Sequence, residues 1–236
     1  MPADLLILAA MREEAAPIEA RLADARPLPS PFPGASRPVT AVVGRLGETP
    51  VRVVTCGIGV ASASAAATWA VLAERPRAVV SAGSAGGLAA DIEVGTLVVG
   101  EEFRYFLADA TAFGYAPGQV PGQPESFAAD PVLADAAEAA ARAEGGAVRR
   151  GPMLSGDAFV TAPLADPMRE RFPGALSADM ETTAIAQACA ALGVPFVALR
   201  AISDLCGPAA GQQFHLELDL VAETSAAAVA RLAARI

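Results

Sequence analysis

Three carboxylates and one guanidinium, at three widely separated places, carry most of the chemistry this chain could do. Glu14 closes the stretch Ala10-Met11-Arg12-Glu13-Glu14, directly after a short apolar run. Glu181 lies in Asp179-Met180-Glu181-Thr182-Thr183, at the entrance of an Ala-rich segment. Arg200 and Asp204 belong to Arg200-Ala201-Ile202-Ser203-Asp204, at the end of another apolar run. A carboxylate accepts hydrogen bonds from paired hydroxyls, takes a proton from water, or gives one up when its surroundings keep it neutral. Each acid alone also has an ordinary structural reading. Acids at a helix start complement its dipole, and Asp204 suits a turn. Arg200 is harder to explain that way, because an unpaired charge late in a buried strand is costly. Taken together, the set points to a functional site.

The elements that must position these groups follow from periodicity. Residues 182–192 place Ile185, Ala188, Cys189 and Leu192 at helical spacing, with Gly193 as the C-terminal stop. Residues 196–199 read as a buried parallel strand that delivers Arg200, Ser203 and Asp204 to its carboxyl end, where open α/β sheets bind ligands. Residues 5–10 read as the first strand, followed by a helix that tolerates Pro17 only in its first turn. Residues 24–38 are Pro-rich and read as a surface loop. Residues 39–46 and 50–55 form a hairpin, and 60–73 a helix opened by Cys56-Gly57-Ile58-Gly59. Residues 78–82 form a buried strand running into a glycine-rich turn, Gly83-Ser84-Ala85-Gly86-Gly87. That turn is neither a dinucleotide fingerprint nor a phosphate loop, and offers backbone amides and one hydroxyl to a concavity. Strands at 95–100 and 148–154, helices at 130–144 and 167–172, a loop at 207–213 and a last helix at 218–235 complete the chain. The long segment 103–123, rich in Gly, Pro and aromatics, suits a partner subunit. The alternation of strands and helices makes this an α/β protein with a largely parallel sheet, one domain over 1–236 without an internal linker.

Composition removes several classes of function. The net charge is −9 and all 17 basic residues are Arg, which argues against a nucleic-acid surface. The chain is 53% apolar with a mean hydropathy of +0.42, yet no run is long enough to span a membrane. The N-terminus is not basic, so no signal peptide is expected, and the chain reads as cytoplasmic. Cys56, Cys189 and Cys206 lack metal-ligand spacing, and His215 stands in a polar stretch without a nucleophile beside it.

Five segments in order now resemble one family. They are Ala10-Met11-Arg12-Glu13-Glu14, Gly83-Ser84-Ala85-Gly86-Gly87-Leu88, Thr111-Ala112-Phe113-Gly114-Tyr115, Ser155-Gly156-Asp157-Ala158-Phe159, and Met180-Glu181 through Arg200-Ala201-Ile202-Ser203-Asp204. This series is similar to the bacterial 5′-methylthioadenosine/S-adenosylhomocysteine nucleosidases of the nucleoside phosphorylase/hydrolase superfamily. The resemblance implies a single-domain three-layer sandwich with a mixed central sheet flanked by helices, acting as a homodimer without metal or organic cofactor. It implies hydrolysis of an adenine nucleoside at the N-glycosidic bond. Asp204 would protonate the leaving adenine, and Glu14 would activate water, with Arg200 and Ser84 holding it. Glu181 would accept the ribose hydroxyls. Ile58 and Met180 would pack on the sugar, Phe159 would stack on the base, and the Val160 backbone would read its edge. Ser84, Ala85, Gly86 and Ser203 would line the site. Phe113 and Pro121 would reach in from the neighbouring subunit.

Two departures from the family pattern stand out. Asp179 replaces the usual Glu, one methylene shorter, and the best register puts Leu218 where a covering Phe is common, with Phe214 as a substitute. Rival readings are a purine nucleoside phosphorylase, which Arg12 alone could favour, a nucleosidase acting on 6-amino-6-deoxyfutalosine, and a non-catalytic nucleoside-binding protein.

Overall fold

The structure, a computed structural model, describes residues 4–30, 32 and 39–236. Strand β1 (Leu5–Ala9) is buried at every position, as an apolar run covered on both faces must be. Helix α1 (Arg12–Glu19) follows, with Pro17 in its interior rather than its first turn. The helix stops two residues later, so Pro17 forfeits only the bond its amide would have made to the Glu13 carbonyl.

Strand β2 (Ala23–Leu28) occupies part of the segment expected to be loop. It is the outermost strand and largely exposed, a position where a proline lacking a donor is tolerated. The rest of that expected loop, residues 31 and 33–38, lies outside the described residues. Strands β3 (Thr40–Leu46) and β4 (Thr49–Thr55) form the expected hairpin, with Gly47 at φ 60 in its turn. Helix α2 (Val60–Ala73) lies where expected and buries Ala63, Ala66, Ala67, Ala70 and Val71 along one face. Its last carbonyls are satisfied by Arg52 of β4, which donates to the Ala70 and Glu74 oxygens at 2.7 Å each.

Strand β5 (Ala78–Gly87) takes in the whole glycine-rich segment, which is strand and not turn. Strand β6 (Leu97–Tyr105) likewise reaches into the segment expected to be loop, and pairs with the short β7 (Phe127–Ala128). Helix α3 (Pro131–Arg142) is capped by Asp130, whose side chain accepts the Leu133 amide. Strand β8 (Val148–Ser155), helix α4 (Ala162–Arg171) and strand β9 (Ser177–Asp179) follow. Helix α5 (Thr182–Leu192) ends at Gly193 in the left-handed region, and β10 (Phe196–Asp204) is buried throughout. Helix α6 (Ala210–Ala233) begins eight residues before its expected start, so His215 is helical.

Among the described residues ten strands make one mixed sheet; nine run in the order β10-β6-β8-β9-β5-β1-β4-β3-β2, and β7 pairs with β6 off that path. Strand β10 pairs with both β6 and β5, so one half of the sheet curls into a closed circuit. Helices α2 and α5 cover one face, and α1, α3 and α6 the other. A third apolar cluster, around Phe106, Leu154, Met168 and Phe172, seats α4. The carboxyl ends of β1, β5 and β10 open beside the starts of α2 and α5.

Candidate active site

These strand ends and helix starts line an open pocket of about 190 Å³. Glu14 arrives from the first turn of α1 and is buried. Its Oε2 accepts the Ala10 and Met11 amides at 2.9 and 3.2 Å, which satisfies the helix start. Its Oε1 accepts the Ser84 amide and the Ser84 hydroxyl, both at 2.7 Å. The capping role and the site role of Glu14 therefore belong to different oxygens. The glycines of β5 admit these side chains. A Cβ on Gly83 would lie 2.5 Å from the Glu14 carboxylate, and one on Gly86 would lie 2.7 Å from the Cys206 sulfur and 3.2 Å from Asp204 Oδ1.

Glu181 occupies the position before α5, but its side chain does not cap that helix. It reaches across to α2, where Oε1 accepts the Gly59 amide at 3.0 Å. Burial is the largest influence on Glu181 and pushes it up to about 8 against the pull of Arg200. Asp179 and Glu14 push in the same direction as burial. Asp204 ends β10 just past a register shift. That irregularity lets Ser203 and Asp204 both border the pocket, although strand alternation would part them. Asp204 accepts the Cys206 amide and the Ser203 hydroxyl, each at 3.0 Å. Burial nevertheless raises it above the usual carboxylate range, outweighing those two bonds.

Arg200 is 1% exposed and fully engaged. It donates to the Ser84 carbonyl at 2.7 Å and to the Ser81 hydroxyl at 3.0 Å. It faces Asp179 at 3.2 Å and Glu181 at 3.6 Å. Burial alone would lower Arg200, but Asp179, Glu181 and Glu14 together raise it. Phe159 and Phe214 meet edge to face at the rim, with ring centres 5.8 Å apart. Among the described residues no cluster of His, Cys, Asp and Glu could hold a metal ion.

The phosphorylase superfamily model matches residues 4–236. The 5′-methylthioadenosine/S-adenosylhomocysteine nucleosidase of Haemophilus influenzae (strain 86-028NP) is 39% identical over 198 residues, 82% of this chain and 86% of that one. The chain belongs to this nucleosidase family of the phosphorylase superfamily. The fold agrees. The Neisseria meningitidis nucleosidase in complex with methylthio-immucillin-A superposes with a TM-score of 0.92 at 35% identity, covering 98% of this chain and 99% of that one. The Colwellia psychrerythraea nucleosidase in complex with adenine gives 0.90 at 31% identity, covering 100% and 96%.

Within this nucleosidase-family pocket the residues singled out from sequence mostly meet. Glu14, Ile58, Ser84, Ala85, Gly86, Phe159, Met180, Glu181, Arg200, Ser203 and Asp204 all line it. Val160 borders an adjoining recess together with Gly86, Phe159 and Asp204. Phe113 and Pro121 do not reach it; both are exposed, Phe113 by 84%. Arg12 and Glu13 lie in a neighbouring groove that meets the pocket at Ala10, Met11 and Ile58. Phe214, and not Leu218, lines the pocket, because α6 starts early enough to carry residue 214 on its first turns. The polar Gly211-Gln212-Gln213 run hid that helix start in the sequence. Ala10 and Ala178 also line the pocket; nothing in their residue types marks them.

Proposed function

We propose that this chain hydrolyses the N-glycosidic bond of 5′-methylthioadenosine and S-adenosylhomocysteine, releasing adenine and the 5′-substituted ribose. The convergence of Glu14, Glu181 and Asp204 on one pocket is the observation that carries the reading. Adenine is a poor leaving group as an anion, so a proton must reach the base as the bond breaks. Asp204 suits that task because burial favours its protonated form. Glu14 takes a proton from the attacking water, with Oε1 steadied by Ser84. Glu181 accepts from the ribose hydroxyls, and in its ionised form its charge offsets the positive charge that builds on the sugar. Met180 and Ile58 pack on the sugar and Phe159 on the base, whose edge meets the Val160 backbone. The active form is a homodimer in which the exposed Phe113 and Pro121 of each subunit cover the 5′-group in the other.

Phosphorolysis fits the charges poorly. The pocket lining holds Glu14, Asp179, Glu181 and Asp204 against the single guanidinium of Arg200. That cation is already committed to Asp179 and Glu181. A phosphate dianion would find no uncommitted cation in this lining, whereas water meets acceptors.

Adenine release from 5′-methylthioadenosine and from S-adenosylhomocysteine in phosphate-free buffer tests the proposal. The expected result is full turnover without phosphate, with Asp204→Asn and Glu14→Gln each reduced on the order of 10²-fold or more. A requirement for phosphate, or near-normal turnover in either variant, would refute it. The rate should fall as pH rises through the raised Asp204 pKa, because only the protonated acid can protonate the base.

A further inference from the structure

At the pocket wall, four buried side chains form a closed circuit. Arg200 donates through Nη2 to the Ser81 hydroxyl at 3.0 Å and through Nε at 3.3 Å. The Ser81 hydroxyl lies 3.1 Å from the Thr182 hydroxyl, which donates to Asp179 Oδ2. That same oxygen faces Arg200 Nε at 3.2 Å, which closes the circuit. Arginine is donor-only and an ionised aspartate acceptor-only, so the direction of the hydroxyl protons is fixed from Arg200 through Ser81 and Thr182 to Asp179. The other Asp179 oxygen accepts the Ser155 hydroxyl at 2.6 Å and the Glu181 and Thr182 amides at 3.0 Å each. Asp179 therefore fixes both the guanidinium that faces Glu181 and the backbone that carries Glu181.

We infer that Asp179, acting with Thr182 and Ser81, is a positioning unit that sets both the aim of Arg200 and the charge state of the ribose-facing Glu181. Asp179 acts through those two groups. The inference rests on the reading of Glu181 given above. The Thr182 hydroxyl bridges from the short aspartate side chain to Ser81.

The titratable and charged groups around Glu181 come from every side. Arg200 faces it from β10, Asp179 from β9, Glu14 from α1, and the Cys56 thiol from the turn before α2. Arg200 is the one cation in this set, and Asp179 claims part of its field. Neutralising Asp179 removes a like charge from Glu181 and leaves Arg200 to pair with it alone. Both changes favour ionised Glu181.

The test compares wild type with Asp179→Asn, Asp179→Glu, Thr182→Ala and the double variant Asp179→Glu/Thr182→Ala. Titration of the Glu181 carboxyl by carbon-13 NMR, assigned with Glu181→Gln, needs no activity. It should move down by about one to three pH units in Asp179→Asn. The acidic limb of kcat/KM for 5′-methylthioadenosine should move down with it. Each of Asp179→Glu and Thr182→Ala should lose roughly tenfold or more in kcat, and the double variant should recover most of it, because the longer acid fills the space the threonine vacates. An unmoved Glu181 titration, or losses that simply multiply in the double variant, would overturn the inference. If Asp179→Asn does not fold, the Glu/Ala cycle decides by itself. Wild-type inactivity toward both nucleosides would count against the proposed reaction alone, since the carboxyl titration still judges the positioning unit.

Discussion

Replacing Gly83 by Ala should strike Glu14 directly. The added Cβ would lie 2.5 Å from both Cδ and Oε1 of the Glu14 carboxylate, and 2.8 Å from Oε2. Carbon contacts prefer about 3.5–4.0 Å, so the carboxylate must move by about an ångström. It is pinned by four donors, the amides of Ala10, Met11 and Ser84 and the Ser84 hydroxyl. Losing one charge-assisted bond costs about 1.5–3 kcal/mol. Gly83 also has φ +129, where an L-residue adds about 1–3 kcal/mol of backbone strain. The total is about 2.5–6 kcal/mol, a large share of a typical domain's stability of about 5–15 kcal/mol. Gly95→Ala is the control. That residue has φ +84 with nothing within 4 Å of the added carbon, so it should show the strain alone. Urea denaturation followed by circular dichroism should place Gly83→Ala about 1.5–3 kcal/mol below Gly95→Ala. Adenine release should fall on the order of 10²-fold in Gly83→Ala, because an ångström of misplacement has that effect on a positioned group. Equal stabilities with wild-type turnover in both variants would refute the argument that the glycine exists to admit Glu14.

Glu181 couples stability to pH. Its folded pKa is raised to about 8, so the stabilisation tied to its proton is complete below the usual glutamate range and is lost as pH rises through about 8. Thermal melts of wild type and Glu181→Gln at pH 5 and pH 9 should show the variant gaining on wild type at the higher pH; parallel curves would show that the carboxyl titrates normally. Phe113→Ala should raise KM for 5′-methylthioadenosine, and mixing it with Asp204→Asn subunits should restore normal KM in part of the sites. Failure of mixing to restore any, in a protein that sediments as a dimer, would show that Phe113 does not serve the neighbouring site.

The sequence by itself determined the α/β class, the helices at Val60–Ala73 and Thr182–Leu192, and the placing of Glu14, Glu181, Arg200 and Asp204 at the ends of apolar segments. These follow from local causes: apolar runs of strand length, helical spacing closed by Gly193, and charges placed at the ends of apolar segments. Other residues take their meaning from distant neighbours. The glycines of 83–87 look like a turn in isolation; they are strand because β10 and β9 pair with that backbone, and Glu14 and Asp204 press so close that a Cβ at Gly83 or Gly86 has no room. Pro27 looks like a loop residue until the sheet assigns it to an outer edge. Phe214, and not Leu218, lines the pocket because helix α6 starts early, which the polar composition of its first turn conceals. Asp179 looked like a minor shortening, and only the packing of β9 against β5 and β8, with β10 and α5 alongside, gave it Arg200, Ser155 and Thr182 as partners. Local sequence fixes which groups are present and which way a segment folds. Whether a buried charge meets its counter-charge is decided by tertiary contacts between segments far apart along the chain.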